Sequence, residues 1–448
     1  MMNKLFSLLL FFAGGSLASG QQPVRLTFRE AVRTGLERNI ILQQQKNQAT
    51  AAVAVRQSAL LQMAPAVSAS GSTGAFSGNS FNQQQGEVIN GRISFVNGSI
   101  GAGIPVFNGL SQVNRFRQAN ADLVSQEHLV DLARQEVIRM VASQFLNCLL
   151  DQQLVRIDVQ NLETQKAQYD QIRGQVEVGA RAEADLYNQE FQMRNAELLI
   201  VRSTNRLKND KAMLAQTLLM DPMVPFELEE PEWEAPADLA GESSLEVLGA
   251  EALTARKDLL QARSAQEAAR YAYFASRGRL FPSLTAVSQW SSRYNYIDGA
   301  TDNRSFSSQF GNDNRQFSYG LMMSVPLFNG FVARSQVTRM RLQYDNAVLA
   351  TRGTEARVKS EVLVAWQNLD DARKSLQAAE AQLKAARLSY TTEKERFDLG
   401  ISNIVQLVTA QQSWVRAQSD HAGARYTWML QRLLLRHAAG TLKEEDIR

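Results

Sequence analysis

Few residues in this chain of 448 amino acids have the types and spacings that catalyse reactions or bind metals. The three histidines, His128, His421 and His437, are isolated from one another, and Cys148 is the single cysteine. The sequence has no His-x-x-x-His or Cys-x-x-Cys pair, no Gly-x-Ser-x-Gly and no phosphate-binding glycine loop. Zinc sites, serine nucleophiles and nucleotide sites need such spacings. We therefore predict that the chain is not an enzyme and needs no metal or cofactor.

Polar side chains with a regular placement follow two glycines. Asp185 comes shortly after Gly179, and Ser402 and Asn403 come shortly after Gly400. A glycine can end a helix, and a short polar side chain can accept hydrogen bonds from the free amides that start the next helix. The sequence predicts two helix-turn-helix tips, with Asp185 and either Ser402 or Asn403 as caps. For any one of these residues, a role limited to capping and turning stays open.

The two tips belong to two copies of one sequence repeat. The segment IPVFNGL at 104–110 returns as VPLFNGF at 325–331, which is 221 positions later, and the same spacing separates Gly179 from Gly400. Pro65 and Pro282 are 217 positions apart, so the second copy has four more residues between its two prolines. A loop accepts extra residues more readily than a helix or strand. We predict a tandem structural repeat with the extra residues in a loop.

The repeat divides the chain into units. The predicted units are a signal peptide at 1–20, a first repeat at 21–220, a connector at 221–242, a second repeat at 243–438 and a tail at 439–448. Each repeat has a leading helix (Thr27–Met63; Leu245–Arg279), a hairpin (65–105; 282–326), a long helix (110–178; 331–399) and a returning helix (182–218; 403–437). The signal peptide rests on Lys4, the apolar run 5–12 and the small residues 18–20. The alternative, a membrane anchor, needs about 20 apolar residues.

The long helices carry a heptad pattern. Apolar residues from Val358 to Tyr390 recur at alternating spacings of four and three, with small residues between large ones. Helices of this length would form rods roughly 100 Å long. The first copy has polar residues at half of the matching positions, namely Gln144, Asp151, Asp158 and Gln165. We therefore expect the two long helices to have different neighbours.

The segments between the paired prolines have the pattern of strands. Phe317, Tyr319, Leu321, Met323 and Val325 alternate with small or polar residues, as in strands that face lipid on one side and a lumen on the other. A soluble hairpin with one buried face remains an alternative for this strand alone. The loop 293–314 is rich in Asn, Ser, Asp and Gly, which favours an extracellular tip. Four strands cannot close a barrel, so strands in a membrane would require several chains, with three giving twelve strands and a lumen.

The repeated PxFNG motif marks the junction between hairpin and long helix. Proline ends a strand because it lacks an amide hydrogen, and Asn-Gly allows a turn with positive φ. The predicted junction residues are Pro105, Phe107, Asn108, Gly109, Pro326, Phe328, Asn329 and Gly330.

The order of these features resembles the outer-membrane efflux protein family, the TolC-like channels, over essentially the whole mature chain. The resemblance implies a mainly α protein with a membrane β-barrel portion. It further implies a homotrimer with a twelve-stranded barrel in outer-membrane lipid and a long coiled α-helical barrel in the periplasm of a Gram-negative bacterium. The implied partners are a periplasmic adaptor (membrane fusion protein) and an inner-membrane pump of RND, ABC or MFS type.

The resemblance also implies roles for the tips. Adaptor docking would fall to Val178, Gly179, Ala180, Arg181, Leu186, Leu399, Gly400, Ile401, Val405 and Leu407, and the aperture constriction to Glu183, Asp185, Gln406 and Thr409. Several family members carry two aspartates where this chain has Gln406 and Thr409. Any acidic ring is therefore expected to come from Glu183 or Asp185.

The predicted function is the exit duct of a tripartite efflux pump, which passively conducts small molecules. The duct of a type I protein secretion system is the alternative, and a structural coiled-coil or adhesin-type surface protein is a remoter one. The net charge of +3 is spread over interspersed acidic and basic residues, so nucleic acid is not an expected partner.

Overall fold

The structure is a computed structural model that describes residues 24–82, 86–230, 244–300 and 302–442. The predicted signal peptide, the second half of the predicted connector and the end of the predicted tail lie outside the described residues. The two parts of the chain that carry the repeat are described almost completely.

Two helices of 67 residues each dominate the fold. The helices are α1 (Phe28–Arg38), α2 (Ile40–Leu61), α3 (Ser111–Glu177), α4 (Glu183–Thr217), α5 (Leu245–Ala255), α6 (Lys257–Gly278), α7 (Phe306–Ser308), α8 (Val332–Asp398) and α9 (Ile404–Ala439). At about 1.5 Å per residue, α3 and α8 are roughly 100 Å long. Among the described residues, no helix combines the length and the apolar composition needed to cross a membrane.

Each leading helix is broken in two, whereas the sequence predicted one continuous helix. The breaks fall at Asn39 and Arg256, which have extended ψ angles of 126° and 121°. Asn39 accepts a hydrogen bond from Leu42 N at 3.2 Å and so caps α2. Arg256 is held by two hydrogen bonds to Asp258, at 2.9 and 2.8 Å. No proline or glycine marks either break, and local capping and ion pairing stabilise both.

The strands form two separate sheets. They are β1 (Val24–Leu26), β2 (Ala66–Asn82), β3 (Glu87–Phe107), β4 (Phe226–Leu228), β5 (Ser283–Ile297) and β6 (Gln316–Ser324). The main sheet has the antiparallel order β2-β3-β5-β6, so β2 and β6 are its edges. A small parallel pair, β1 with β4, joins the start of the chain to the connector. The sequence did not predict this pair, because three-residue strands carry almost no periodic signal.

The two hairpins end differently at their prolines. β6 stops at Ser324, just before Pro326, as predicted. β3 continues past Pro105 to Phe107, with a bulge where the pairing to β5 shifts. The prediction that Pro105 ends its strand was wrong. At Pro105 β3 pairs with β5 alone, because β2 begins opposite Gly103. The proline therefore lies beyond the part of β3 that is paired on both sides, and the bulge accommodates its missing amide hydrogen.

The predicted loop 293–314 is largely ordered structure. β5 runs on to Ile297, and α7 leads into a short π-helical segment, Gln309–Asp313. The Phe310 ring lies against Gly98 and meets the Trp290 ring edge-on at 6.3 Å. The segment therefore folds back onto the sheet.

Amide side chains from this segment cap the free edge of β5. β6 pairs with β5 only as far as Ser291. Beyond it, Asn314 donates to Arg293 O at 2.8 Å, Gln309 bonds both backbone groups of Asn295 at 3.1 and 3.0 Å, and Asn303 bonds both of Ile297 at 3.0 and 2.7 Å. These side chains satisfy the backbone groups that a longer β6 would have paired.

The main core lies midway along the long helices. There α3, α8 and α9 meet the shorter helices α1 and α5 and the β1-β4 pair around buried residues such as Phe28, Phe145, Val362 and Trp428. Phe28 and Phe145 bring their rings to 5.1 Å. The buried heptad residues of α8 are the ones that the spacing predicted, from Val358 to Ala379.

Candidate functional site

The two predicted tips have the same backbone geometry. Gly179 and Gly400 both have φ +76°. Ala180 N donates to Gln175 O and Ile401 N donates to Arg396 O, each at 2.8 Å. These are the bonds of a Schellman cap, in which a left-handed residue closes the helix. Glycine is favoured here because a side chain makes a positive φ energetically costly.

The helices that leave the tips start differently. Asn403 caps α9, because its Oδ1 accepts from Gln406 N at 3.0 Å. The N-cap of α4 is Ala182, which makes no side-chain capping bond. The prediction that Asp185 caps α4 was wrong. Its carboxylate instead lies 3.7 Å from the Arg181 guanidinium.

Arg181 joins the two tips to each other. Its guanidinium carbon lies 4.1 Å from the centre of the Phe397 ring, in the last turn of α8. A second link is the hydrogen bond from Gln171 Nε2 to Asp398 Oδ1 at 3.3 Å. The sequence named Arg181 but missed both partners, since contacts between the repeats leave no periodic signal.

A small apolar cluster fills the space behind the tips. Its buried members are Ile172, Tyr390, Phe397, Ile404, Leu407 and Ala410. Tyr390 stacks on Trp414 with ring centroids 4.8 Å apart. The cluster fixes the end of the α3-α4 pair against the end of the α8-α9 pair.

The predicted docking residues divide by exposure. Gly179, Ala180 and Gly400 are exposed, and Val178, Leu399, Ile401 and Val405 are apolar and 66–79% exposed. Leu407 is only 1% exposed and Leu186 packs against the same cluster. Leu186 and Leu407 therefore belong to the interior of the tip, and Arg181 is partly buried against Phe397. The other residues form the surface of the tip.

The predicted constriction residues also differ in their environment. Glu183, Gln406 and Thr409 are exposed, and the Asp185 side chain is 30% exposed. Thr409 uses its hydroxyl to bond Val405 O at 2.7 Å. Asp185 is partly neutralised by Arg181, so Glu183 is the more available acid.

A buried cluster of side-chain amides lies between the tips and the main core. Gln165, Gln168, Gln189 and Gln411 are at most 7% exposed and come from α3, α4 and α9. Gln189 Nε2 donates to Gln165 Oε1 at 2.6 Å, and Gln411 Nε2 donates to Asn161 Oδ1 at 3.3 Å. The sequence singled out Gln165 as a polar interruption of the heptad pattern. Its partner Gln189 was missed because it lies on another helix, α4.

The hairpin-helix junctions share one conformation. Gly109 and Gly330 both have φ +63°, and the next residues, Leu110 and Phe331, also lie in the left-handed region. A Cβ on Gly109 would lie 2.4 Å from Gly278 O, whereas a Cβ on Gly330 would meet nothing within 4 Å. Leu327 and Phe328 are 92% and 84% exposed. The first junction is packed within the chain, and the second is open.

Along its middle the main sheet has a polar face and an apolar face, and the polar side also carries Phe76, Phe95 and Met322. On the polar face Ser70 and Ser99 bring their hydroxyls to 2.7 Å and Asn97 donates to Ser72 at 3.3 Å. A hollow of about 720 Å³ lies along this face. On the opposite face Phe317, Tyr319, Leu321 and Met323 are 65–83% exposed.

A cluster of titratable groups lies inside the helical part. Asp151 is 1% exposed, and Arg206 Nε lies 2.9 Å from its Oδ1. Burial and the neighbouring Asp210 carboxyl raise the pKa of Asp151 to about 7, and burial raises the pKa of Cys148 to about 12. Among the described residues no group of three or more His, Cys, Asp or Glu side chains is placed to hold a metal ion.

The two repeats match one protein family. The profile of the family described as "Outer membrane efflux protein" matches residues 33–218 and 248–441. The chain belongs to this family. Its location is the outer membrane, with the long helices extending into the periplasm, and the family and fold are those of channels rather than enzymes.

Known proteins show how far the likeness extends. The outer membrane protein VceC of Vibrio cholerae has the same fold, with a TM-score of 0.81 and 14% identity over 92% of this chain and 96% of that chain. The outer membrane protein TolC of Vibrio cholerae is 32% identical over 193 residues, which is 42% of each chain. The proteases secretion protein PrtF of Dickeya chrysanthemi is 28% identical over 141 residues, 29% of this chain and 28% of its own. The matched segments thus span less than half of these two relatives.

Proposed function

We propose that this channel protein is the exit duct of a tripartite efflux pump and passively conducts small molecules. An inner-membrane transporter would supply the energy and a periplasmic adaptor would connect it to the tips. The family's description as efflux proteins supports this function.

The observation that carries the proposal is the exposed apolar face of β6. Exposure of this face to water costs about 25 cal/mol of free energy for each Å² of apolar surface. Lipid removes that penalty, and the polar face would then line the lumen. The Asn-Gly junction leads from this strand directly into a rod that is long enough to project far from the membrane.

A homotrimer is part of the proposal. A sheet of four strands with two open edges leaves unpaired backbone groups in lipid, each costing several kcal/mol. Three copies would supply twelve strands and enclose a lumen. The exposed apolar residues Val178, Leu399, Ile401 and Val405 would then meet the adaptor at the periplasmic end.

Reconstitution into a planar bilayer tests the channel. We expect stepwise ion conductance from a species whose native mass in detergent is three chains. A monomer without conductance would refute the proposal.

A secretion duct is the second candidate, favoured by the similarity to PrtF, which is described as a proteases secretion protein. Expression of the protein in a bacterial host that lacks its own outer-membrane ducts distinguishes the two functions. Lower accumulation of a fluorescent dye would support efflux. Release of a protein substrate into the medium, with dye accumulation unchanged, would support secretion instead.

A further inference from the structure

The four helices that meet the main sheet are rich in arginine at the ends next to it. Counted with the link to its strand, each end is a short stretch, at 50–64 in α2, 108–121 in α3, 268–282 in α6 and 326–344 in α8. Together the four stretches contain nine arginines and no lysine, aspartate or glutamate. We call these nine residues the arginine collar: Arg56, Arg115, Arg117, Arg270, Arg277, Arg279, Arg334, Arg339 and Arg341.

The charge of the arginine collar is not neutralised by nearby acids. Eight of its nine members are exposed, and Arg56 is half-buried. In the part of the chain that the structure describes, the ion pairs involve other cations. At the tips, for example, Arg173, Arg181 and Arg396 each form an ion pair with an acid three or four residues away. The ends of the helices next to the sheet therefore carry an uncompensated positive charge.

Helix stability does not explain the arginines at the start of the long helices. Arg334 is the third residue of α8, and neither α3 nor α8 has an acid in its first turn. The start of a helix is the positive end of its dipole, which favours acids and disfavours cations. An arginine is therefore unfavourable there unless an anion from outside the chain lies close to it.

Aromatic rings orient five of the collar arginines. The Arg56 guanidinium carbon lies 5.8 Å from the centre of the Phe116 ring, and that of Arg117 lies 6.0 Å from the centre of the Tyr271 ring. Each of these two contacts joins neighbouring helices. The other three pairs are local in sequence and are Arg270–Phe274, Arg277–Tyr273 and Arg334–Phe331. A guanidinium over a ring is held in place while its N–H groups can still donate to a ligand.

Exposed apolar side chains lie between the arginine collar and the sheet. Leu61 at the end of α2, Phe281 after α6 and Phe328 before α8 are 67%, 51% and 84% exposed. Along the chain into α8 the order is an apolar strand face, exposed apolar residues and then arginines. A membrane leaflet has the same order from its centre outward, namely acyl chains, interface and charged headgroups. Exposed leucine and phenylalanine side chains favour lipid over a water-filled lumen as their neighbour.

We propose that the arginine collar binds the phosphates of anionic phospholipids in the periplasmic leaflet of the outer membrane. The proposal rests on the sheet lying in the membrane, as the proposed function requires, and it adds a lipid partner to that function. Guanidinium groups stay charged and can donate two parallel hydrogen bonds to one phosphate. Side chains on α3 and α8 tilt toward the start of each helix and therefore toward the membrane.

Retention of added lipid tests the proposal on the wild-type protein. The full-length trimer in an uncharged detergent is mixed with equimolar phosphatidylglycerol and phosphatidylcholine and purified again, and the bound lipids are counted by mass spectrometry. We expect phosphatidylglycerol in several-fold excess, because each arginine near an anionic headgroup strengthens binding about fivefold. Equal retention of the two lipids by the wild type would refute the proposal.

A charge-neutral collar variant tests which residues are responsible. It removes two arginines, seven residues apart and so on one face, from each of α6 and α8. The substitutions are Arg270→Gln, Arg277→Gln, Arg334→Gln and Arg341→Gln. We expect this variant to retain the two lipids in nearly equal amounts. Retention like that of the wild type would refute the assignment of the lipid contact to these arginines.

A matched control loses the same charge far from the sheet. Its substitutions replace four arginines whose side chains are 54–83% exposed, and they are Arg33→Gln, Arg173→Gln, Arg194→Gln and Arg416→Gln. We expect the control to prefer phosphatidylglycerol as the wild type does. An equal loss of preference in the control and the collar variant would show a general charge effect and would refute the collar as a binding surface.

Planar-bilayer recordings separate a lipid contact from a role in the lumen. We expect the collar variant to keep the reversal potential of the wild type in a KCl gradient. A shifted reversal potential with unchanged lipid retention would mean that the arginines line the lumen, and it would refute the lipid contact.

Two further outcomes keep the tests distinct. If the collar variant does not assemble, the wild-type lipid comparison decides, together with the Arg270→Gln/Arg277→Gln and Arg334→Gln/Arg341→Gln double variants. A conducting trimer without a lipid preference would refute the lipid contact and leave the proposed function intact. A monomer without conductance would refute the proposed function itself.

Discussion

Asp151 is a buried acid whose ionised form destabilises the folded state. Its carboxyl is buried beside Asp210, and Arg206 is its nearby cation. The counterpart in the second repeat is Ala372, which is also buried. The fold therefore does not need an acid at this position. A carboxyl whose pKa is raised to about 7 in the folded state favours the fold only while it is protonated.

Asp151→Asn should reveal this effect. The unfolded carboxyl titrates near 3.9, so the wild type should lose stability as the pH rises from about 4 toward 7. The variant should gain roughly 1–3 kcal/mol relative to the wild type across that range. Thermal unfolding in detergent at several pH values measures the difference. Asp170→Asn, at an exposed position on the same helix, is the control, and a pH-independent difference for Asp151→Asn would contradict the prediction.

At the scale of elements, the turns carry the strictest sequence requirements. Both Asn-Gly junctions place two successive residues in the left-handed region, and both tips do so at one glycine. The sequence predicted these glycines because positive φ is a local property. It did not predict Leu110 and Phe331 in the same region, because leucine and phenylalanine give no such local signal.

Gly109→Ala should be strongly destabilising. The methyl group would meet Gly278 O and Phe281 Cβ at 2.4 and 2.9 Å, and the backbone has φ +63°. Strain and overpacking together should cost about 2–4 kcal/mol. Gly353→Ala makes the same change inside α8, where nothing lies within 4 Å, and should stabilise by about 0.5–1 kcal/mol. Urea unfolding of both variants measures this, and similar losses in both would contradict it.

Arg181→Ala should loosen the connection between the tips. A guanidinium over an aromatic ring contributes roughly 0.5–2 kcal/mol. We expect faster hydrogen exchange at the amides near Phe397 and Gly400. Arg173→Ala removes an arginine that forms ion pairs with Asp170 and Glu177 of its own helix, and it should leave those amides unchanged. Unchanged exchange in Arg181→Ala would show that the apolar cluster and the Gln171–Asp398 hydrogen bond hold the tips without Arg181.

For the whole molecule, periodic features were predictable and contacts between repeats were not. The repeat, the long helices and the lipid-type strand all follow from spacings along the chain. The break at Asn39 rests on a local cap to Leu42 that neither proline nor glycine marks. The break at Arg256, the β1-β4 pair and the amide cluster also depend on residues distant in sequence. At the Arg256 break, for example, Arg256 Nη1 also donates a hydrogen bond to Ala438 O at 3.3 Å.

The proposed aperture gives a prediction for the assembled channel. Because Asp185 is paired with Arg181, Glu183 should supply most of the negative charge at the constriction. Glu183→Gln should therefore weaken block by multivalent cations more than Asp185→Asn does. Single-channel recordings of both variants and of the double variant measure the block. If even the double variant is blocked like the wild type, these acids do not form the constriction.

The amide-capped edge of β5 has a consequence for the chain before it assembles. A newly exported subunit must wait in the periplasm among other unfinished proteins, and an open strand edge invites mispairing. The side chains of Asn303, Gln309 and Asn314 occupy part of that edge from the start. They limit the length over which a wrong strand can attach, so this loop should protect the unassembled subunit from aggregation.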